Sequence, residues 1–201
     1  MTTLSSATVY EANGQRGALP REIKPVARGV HVAGPAFPVQ CAPADNLSIH
    51  LALAEAPAGS VLICHTGGWH DAGYVGDVIL QAALARGIAG IAVDGCVRDA
   101  AALSSSTCTV FSRGLSIKGT TKDPKLAGAV NARIRIGLVD IDPGDLVVGD
   151  DDGLVVVPTA DVDEALRRGA DREAKEEDHR RRLAAGETTM ALYRFPTRES
   201  S

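Results

Sequence analysis

Short apolar runs separated by glycine- and proline-rich breaks set the frame of this chain. Val30-His31-Val32-Ala33-Gly34-Pro35-Ala36 reads as a strand ending in a turn. Leu47 to Leu53 follows Asp45-Asn46, and Asp or Asn at that place caps a helix start. Ala56 to Ser60 is a Pro/Gly break, and Val61 to Cys64 a short buried strand. The loop from His65 to Gly76 carries Gly67, Gly68 and Gly73. Asp77 to Arg86 is patterned as a helix, which Gly87 ends. Ile88 to Val93 forms the next strand, Asp99 to Leu103 starts another helix, and Thr107 to Phe111 is a further strand. The apolar runs Asp145–Gly149 and Leu154–Val157 flank Asp150-Asp151-Asp152-Gly153, a hairpin signal in which Asp-Gly supplies a positive φ. From Asp161 to Ala185 the pattern is charged and helical, with Gly169 a candidate interruption. The parse is one α/β domain over residues 1–201, with a charged C-terminal helical arm from about 159 to 201.

The most informative unit runs from Val61 to Asp99 and reads strand, loop, helix, strand, loop. If its two strands are neighbours they are parallel, joined by a right-handed crossover. The loop ending at Gly76-Asp77 and the loop Asp94-Gly95-Cys96-Val97-Arg98-Asp99 then share the carboxyl edge of the sheet, where open α/β folds bind ligands.

Composition narrows the class. With 45% hydrophobic but only 3% aromatic residues, Val, Ile, Leu and Ala must build the core. The net charge of -4 and the absence of a basic stretch in the first three-quarters argue against a nucleic-acid partner. The first residues lack a signal-peptide layout, and no apolar run reaches the roughly 20 residues of a membrane span. Cys41, Cys64, Cys96 and Cys108 form no Cys-x-x-Cys pair, so reduced thiols in a cytoplasmic protein are expected.

The shared edge gathers candidate chemistry. Asp77 opens a helix, so the N–H groups of Val78 and Ile79 are available to a carboxylate. Arg98 adds a planar cation suited to a carboxylate or a polarised ketone oxygen. Asp99 supplies a hard oxygen ligand of the kind magnesium takes, with manganese able to serve. Positive charge so placed stabilises an enolate. An Arg-Asp pair at a helix start is also an ordinary capping pattern, and so is Asp77. Cys64, His65 and His70 lack a fourth partner for zinc. Cys96 reads as a small buried thiol, and the Asp150–Asp152 run as a turn rather than a calcium loop. His31 and His50 read as structural. Arg113 and Lys118 could reach a distal carboxylate but read as solvated. The mixed charges from Asp163 to Arg182 suit a solvated or subunit-bridging helix.

Gly76-Asp77, Ala85-Arg86-Gly87-Ile88-Ala89-Gly90 and Asp94-Gly95-Cys96-Val97-Arg98-Asp99 together resemble the 4-hydroxy-4-methyl-2-oxoglutarate/4-carboxy-4-hydroxy-2-oxoadipate aldolases. That family shares its fold with the regulator of ribonuclease activity A. Val9-Tyr10-Glu11-Ala12, Gly34-Pro35-Ala36, Asp45-Asn46-Leu47, Pro143-Gly144-Asp145 and Asp150-Asp151-Asp152-Gly153 extend the likeness over nearly the whole chain. The resemblance implies a layered β/β/α swivelling-type fold and a class II, divalent-metal-dependent lyase that cleaves 4-hydroxy-2-oxoacids to pyruvate and a second oxoacid. Oxaloacetate decarboxylation is an expected side activity. It implies that Arg98 contacts pyruvate and its enolate, and that Asp99 holds magnesium or manganese. The Gly76-Asp77 segment presents the Val78 and Ile79 amides to the carboxylate, while Asp77 orders water at the metal. It further implies a homotrimer or hexamer in which an acidic residue crosses a subunit boundary. Glu11 is the best match for that residue, and Glu173, Glu176 or Glu177 a further one. The rival reading is a non-catalytic ribonuclease-binding regulator, a branch that lacks the aspartate after the arginine. A methyltransferase reading ranks last, because no Gly-rich cofactor loop precedes an acidic ribose-binding position. His65, Trp69 and His70 depart from the Gly- and Asp-rich family loop, which leaves room for a different substrate.

Overall fold

The apolar runs become strands and helices in the expected order in a computed structural model that describes residues 4–126 and 128–196. The elements are α1 (Ser6–Ala12), β1 (Lys24–Pro25), β2 (His31–Gln40), α2 (Leu47–Glu55), β3 (Val61–His65), α3 (Asp77–Ala85), β4 (Gly90–Asp94), β5 (Cys96–Val97), α4 (Ala100–Ser104) and β6 (Thr109–Ser112). They continue with β7 (Gly114–Leu115), β8 (Ala129–Val130), β9 (Ile134–Ile136), β10 (Val139–Ile141), β11 (Leu146–Asp150), β12 (Gly153–Val157), α5 (Val162–Ala184) and α6 (Thr189–Leu192). The arm expected to run from about 159 to 201 begins with a 3-10 turn at Thr159–Asp161 and the α5 helix. Residues 197–201, and 1–3 at the other end, lie outside the described residues.

The main sheet follows the order β1-β6-β4-β3-β2-β11-β12, with β8 also on β2. β2, β3, β4 and β6 are parallel, so the loops after β3 and β4 share one edge as expected. The turn expected after Ala36 is absent. β2 runs on to Gln40 because its two halves have different partners. His31–Pro35 pairs antiparallel with β11, and Ala36–Gln40 pairs parallel with β3. At the crossover Ala36 exchanges backbone hydrogen bonds with the lead-in to β11, donating to Asp145 at 2.7 Å and accepting from Gly144 at 2.9 Å. Strand pairing on both sides overrides the local turn signal of Gly34-Pro35.

Alternation along the strands divides the core. Leu62, Cys64, Ile91, Val93 and Val110 face one side, where α2 and α3 contribute Ile49, Leu53, Leu80 and Ala83. Val61, Ile63, Ala92 and Phe111 face the other, against Ile134, Ile136 and Ile141 of the β9–β10 hairpin and Val147 and Val156 of the β11–β12 hairpin. The outer face of the latter hairpin, through Val148, Val155 and Val157, is covered by Val9 of α1 and Ala165 of α5. Helices, curled sheet and hairpins thus stack as the expected layered α/β fold, with α1 and α5 added outside. Gly169 does not interrupt α5. It is buried against α1 and the residues before it, and a Cβ there would lie 2.7 Å from Leu4 Cδ1 and 3.7 Å from Thr8 Cγ2. In the β11–β12 hairpin, Asp151-Asp152 form the loop, and the positive φ of 140° falls on Gly153. All four cysteines are free. Among the described residues no helix is long and apolar enough to cross a membrane.

Candidate active site

β4 delivers the chain into Cys96–Val97, which pairs with β7, and the next two residues are Arg98 and Asp99. The Arg98 amide donates to Val75 O at 2.9 Å, so this loop is sewn to the one that precedes α3. Asp99 stands at φ 59°, ψ 43°, left-handed backbone that few residues other than glycine adopt. Although it occupies the capping position of α4, its side chain makes no capping hydrogen bond. Its Oδ2 instead accepts the Asp77 N–H at 3.1 Å and lies 3.7 Å from Arg98 Nε. The ordinary capping account therefore fails for Asp99, whose carboxylate is turned from its own helix to the start of α3. Gly76 makes room for it: a Cβ there would lie 2.3 Å from Asp99 Oδ2 and 3.1 Å from Arg98 Nε.

The start of α3 is less open than the sequence implies. Gly76 takes the capping position and offers no side chain. Asp77, the first helical residue, accepts the Val78 N–H on its own Oδ1 at 2.8 Å. The Ile79 N–H has no partner among the described residues. Of the two amides expected to meet a carboxylate, one is held by Asp77 and one is free.

Gly76, Asp77, Val78, Ile79 and Arg98 line a cleft of about 230 Å³. The Arg98 side chain also borders a second hollow with Asp99, Leu115 and Ile117, so it stands between the two. Asn46, His50 and Lys122 line the cleft as well. Buried Asp45 ties the segments that carry them together. It accepts the Leu47 N–H on Oδ1, and the Asp123 N–H and Thr121 hydroxyl on Oδ2. Burial pushes its carboxyl up, but these hydrogen bonds together outweigh burial and hold it below the ordinary carboxylate value. Asn46, expected as a cap of α2, makes no capping bond and donates from Nδ2 to Tyr74 O at 2.8 Å. Its Oδ1 and the Nε2 of His50 are buried without a partner among the described residues. Burial moves the His50 ring below its ordinary range, and Lys122 adds to that.

The remaining candidates are engaged elsewhere. His65 Nδ1 meets Gln40 Oε1 at 3.0 Å, and His70 Nε2 lies 3.9 Å from Asp94 Oδ2. Burial drives the Cys64 thiol far above its ordinary range and raises that of Cys96. Among the described residues no three His, Cys, Asp or Glu side chains gather as a ligand set. Asp150 accepts from Ser6, and Asp151 from the Gly29 amide. Arg113 is paired with Asp94 at 2.6 Å and Lys118 with Asp71. His31 meets Leu4 O. Glu11 sits on α1 near Arg172, Glu176 pairs with Arg172, and Glu173 and Glu177 pair with Arg180. None of these four glutamates lines the cleft beside Arg98.

The Asp99 carboxylate is part-exposed, its Oδ1 receives no protein hydrogen bond among the described residues, and Gly76 leaves space before it. A single hard oxygen donor with room for solvent suits a divalent cation such as magnesium, which keeps several waters.

Known proteins resemble this chain over most of its length. A protein of Halalkalibacterium halodurans with the provisional name 4-hydroxy-4-methyl-2-oxoglutarate aldolase is 34% identical over 190 residues, covering 94% of this chain and 89% of that one. An uncharacterized Pseudomonas syringae protein superposes with a TM-score of 0.80 at 31% identity, covering 92% of this chain and 90% of its own. A Streptomyces coelicolor protein, described as an unusual member of the RNase ES inhibitor RraA family, superposes at 0.78 and 31% identity, covering 89% and 93%. The RraA-like family profile, described as Aldolase/RraA, matches residues 3–156, and the chain belongs to that family.

Proposed function

We propose that the chain is a divalent-metal-dependent lyase that cleaves 4-hydroxy-2-oxoacids of the 4-hydroxy-4-methyl-2-oxoglutarate or 4-carboxy-4-hydroxy-2-oxoadipate type to pyruvate and a second oxoacid. One observation carries the reading: Asp99 is held in left-handed backbone with its carboxylate beside Arg98 and the start of α3. Strain of this kind persists where surrounding structure enforces it, and it concentrates at functional sites.

The residues divide the work as follows. The free Ile79 amide at the α3 N-terminus receives the substrate carboxylate, and the Val78 amide joins it when Asp77 releases its hold. Gly76 lets the substrate approach. Arg98 donates to the 2-oxo oxygen. Asp99 would hold magnesium or manganese, which when bound would supply Lewis-acid polarisation of the 2-oxo group. The C4 hydroxyl gives its proton to water ordered by Asp77, the C3–C4 bond breaks, and its electron pair passes into the C2–C3 bond as the 2-oxo oxygen becomes an enolate oxygen. Arg98 is worth most at that moment, because a fixed cation favours the charge that develops. Protonation at C3 yields pyruvate, and C4 leaves as a carbonyl. Oxaloacetate reaches the same enolate by losing carbon dioxide. In a homotrimer or hexamer, Glu11 brought across a subunit boundary adds an acidic group near the site. A small oxoacid is the partner this site suits.

The alternative, a ribonuclease-binding regulator of the same fold, is favoured by the description of the Streptomyces neighbour. Pyruvate release from 4-hydroxy-4-methyl-2-oxoglutarate, with and without a chelator, separates the two. Metal-dependent release that Asp99→Ala abolishes supports the lyase. No release from this substrate, from 4-carboxy-4-hydroxy-2-oxoadipate or from oxaloacetate overturns it.

A further inference from the structure

Two strand ladders meet at the loop that carries Arg98 and Asp99, and they are one residue out of step. In the main sheet β4 pairs with β6 as far as Ala92 and Phe111. Beyond it β5 pairs with β7 from Cys96 and Gly114 onward. Val93, Asp94 and Gly95 therefore face only Ser112 and Arg113 on the neighbouring strand. An extra residue of this kind is a bulge, and a shift by one residue turns the side chains that follow to the opposite face. The facing of Val97 and Arg98 depends on it. Backbone bonds hold the segment on both sides: Arg113 N–H donates to Gly95 O at 2.8 Å, Ser116 N–H to Val97 O at 2.9 Å, and Cys96 N–H to His70 O at 3.0 Å. Side chains lock the bulge itself. The Asp94 side chain is only 6% exposed, and its Oδ1 accepts Arg113 Nε at 2.6 Å. Arg113, expected to be solvated, has a side chain only 19% exposed. Around the pair, His70 Nε2 lies 3.9 Å from Asp94 Oδ2, and Glu22 Oε2 lies 3.7 Å from Arg113 Nη1.

A buried carboxylate and guanidinium gain little stability over an apolar pair, because both lose their hydration. Their geometry is demanding all the same. A guanidinium donates in a fixed plane, and a carboxylate left here without it is an uncompensated buried charge. The pair thus selects one arrangement of the bulge. We propose that Arg113 is a positioning residue for the lyase: through Asp94 it fixes the bulge, and the bulge fixes where Arg98 and the Asp99 carboxylate stand. Arg113 borders neither of the two hollows beside Arg98, so it acts through the backbone rather than on the substrate. His70 does not replace it, because 3.9 Å is too long for a hydrogen bond. Glu22 is half-exposed, and a pair at 3.7 Å in that setting contributes little. The inference deepens the aldolase reading and rests on it for its kinetic consequence.

The test reads the Asp77 N–H, which donates to the Asp99 carboxylate and reports its place without turnover. The Asp77 amide resonance is assigned in deuterated protein labelled with heavy nitrogen, and Asp99→Ala supplies its position when the bond is lost. In Arg113→Met the resonance is expected to move toward that position, while Glu22→Gln leaves it in place. The kcat for pyruvate release from 4-hydroxy-4-methyl-2-oxoglutarate is expected to fall about tenfold or more in Arg113→Met, with KM changed less than about threefold, because the group displaced acts in the chemical step. Arg113→Lys keeps the charge without the planar donor and should recover part of both effects. Should Arg113→Met not fold, Asp94→Asn keeps the shape of the pair and must move the same resonance and lower kcat in the same direction. An Asp77 resonance that stays at its wild-type position in these variants overturns the proposal, and so does a loss of thermal stability with kcat unchanged. If the wild type cleaves no oxoacid, the aldolase reading falls, and the Asp77 resonance alone still decides whether Arg113 places Asp99.

Discussion

The carboxylate of Asp99 accepts the backbone N–H of Asp77 at 3.1 Å, joining the starts of two helices that follow neighbouring parallel strands. This bond directs a charged group away from its own helix and into the edge of the sheet.

Replacing Asp99 separates strain from chemistry. Asp99→Ala and Asp99→Gly are both expected to lose about a hundredfold or more in kcat/KM for pyruvate release, as when a positioned electrostatic group is removed. Asp99→Gly should nevertheless be more stable than Asp99→Ala by about 1 kcal/mol, because alanine is strained at positive φ. Thermal melts beside a pyruvate assay read both effects. Equal stability of the two variants would count against a retained left-handed backbone.

Gly76→Ala tests the close approach. The added methyl meets Asp99 Oδ2 at 2.3 Å, so the carboxylate must move. A displacement of about 1 Å at a reacting centre costs on the order of a hundredfold in rate. The variant is expected to keep a wild-type circular dichroism spectrum and lose activity on that scale. Full activity would show that the Asp99 position is not critical.

Magnesium is expected to be detectable without turnover. In the presence of oxalate as a pyruvate enolate mimic, added magnesium should raise the melting temperature of the wild type, because a ligand that binds only the folded state stabilises it. Asp99→Ala should show no such rise, and a chelator should reverse it in the wild type. An identical rise in both proteins would place the metal elsewhere.

Asp45 carries a pH signature. Its folded-state carboxyl is held below the ordinary 3.8, so the unfolded chain takes up the proton first as pH falls. The stabilisation is present in full above the unfolded value and is lost as pH drops through the folded one. Asp45→Asn should therefore be destabilised by about 2 kcal/mol at neutral pH, the scale of a disrupted buried hydrogen-bonding group. The gap from the wild type should narrow below about pH 4. Denaturant titrations at several pH values check this, and a gap independent of pH would exclude the charged form as the cause.

What could be read from the chain follows the range of the forces involved. The unit from β3 to Asp99 was legible because its apolar runs, glycines and helix start are local, and parallel pairing then brings Gly76 and Arg98 to one edge. The turn expected after Ala36 failed because β2 is held extended by two partners, β3 from Ala36 onward and β11 before it, the latter more than a hundred residues later. Asn46 and His50 looked like a cap and a structural histidine. Asn46 instead commits its Nδ2 to Tyr74 O, a partner 28 residues away that the local pattern does not show. The hold on the Val78 amide has a local cause: the Asp77 carboxylate folds onto the N–H of the next residue.

The divided pairing of β2 also bears on synthesis. As the chain leaves the ribosome, Ala36–Gln40 can dock on β3 once residue 65 has emerged, while His31–Pro35 must wait for Asp150. Through that interval half a strand presents unsatisfied amides and carbonyls, with the apolar side chains of Val32 and Ala36 beside them. The β11–β12 hairpin closes this edge. A chain interrupted before residue 146 keeps the Arg98–Asp99 loop yet leaves the edge open, which makes such truncated products the species most prone to associate through added strands.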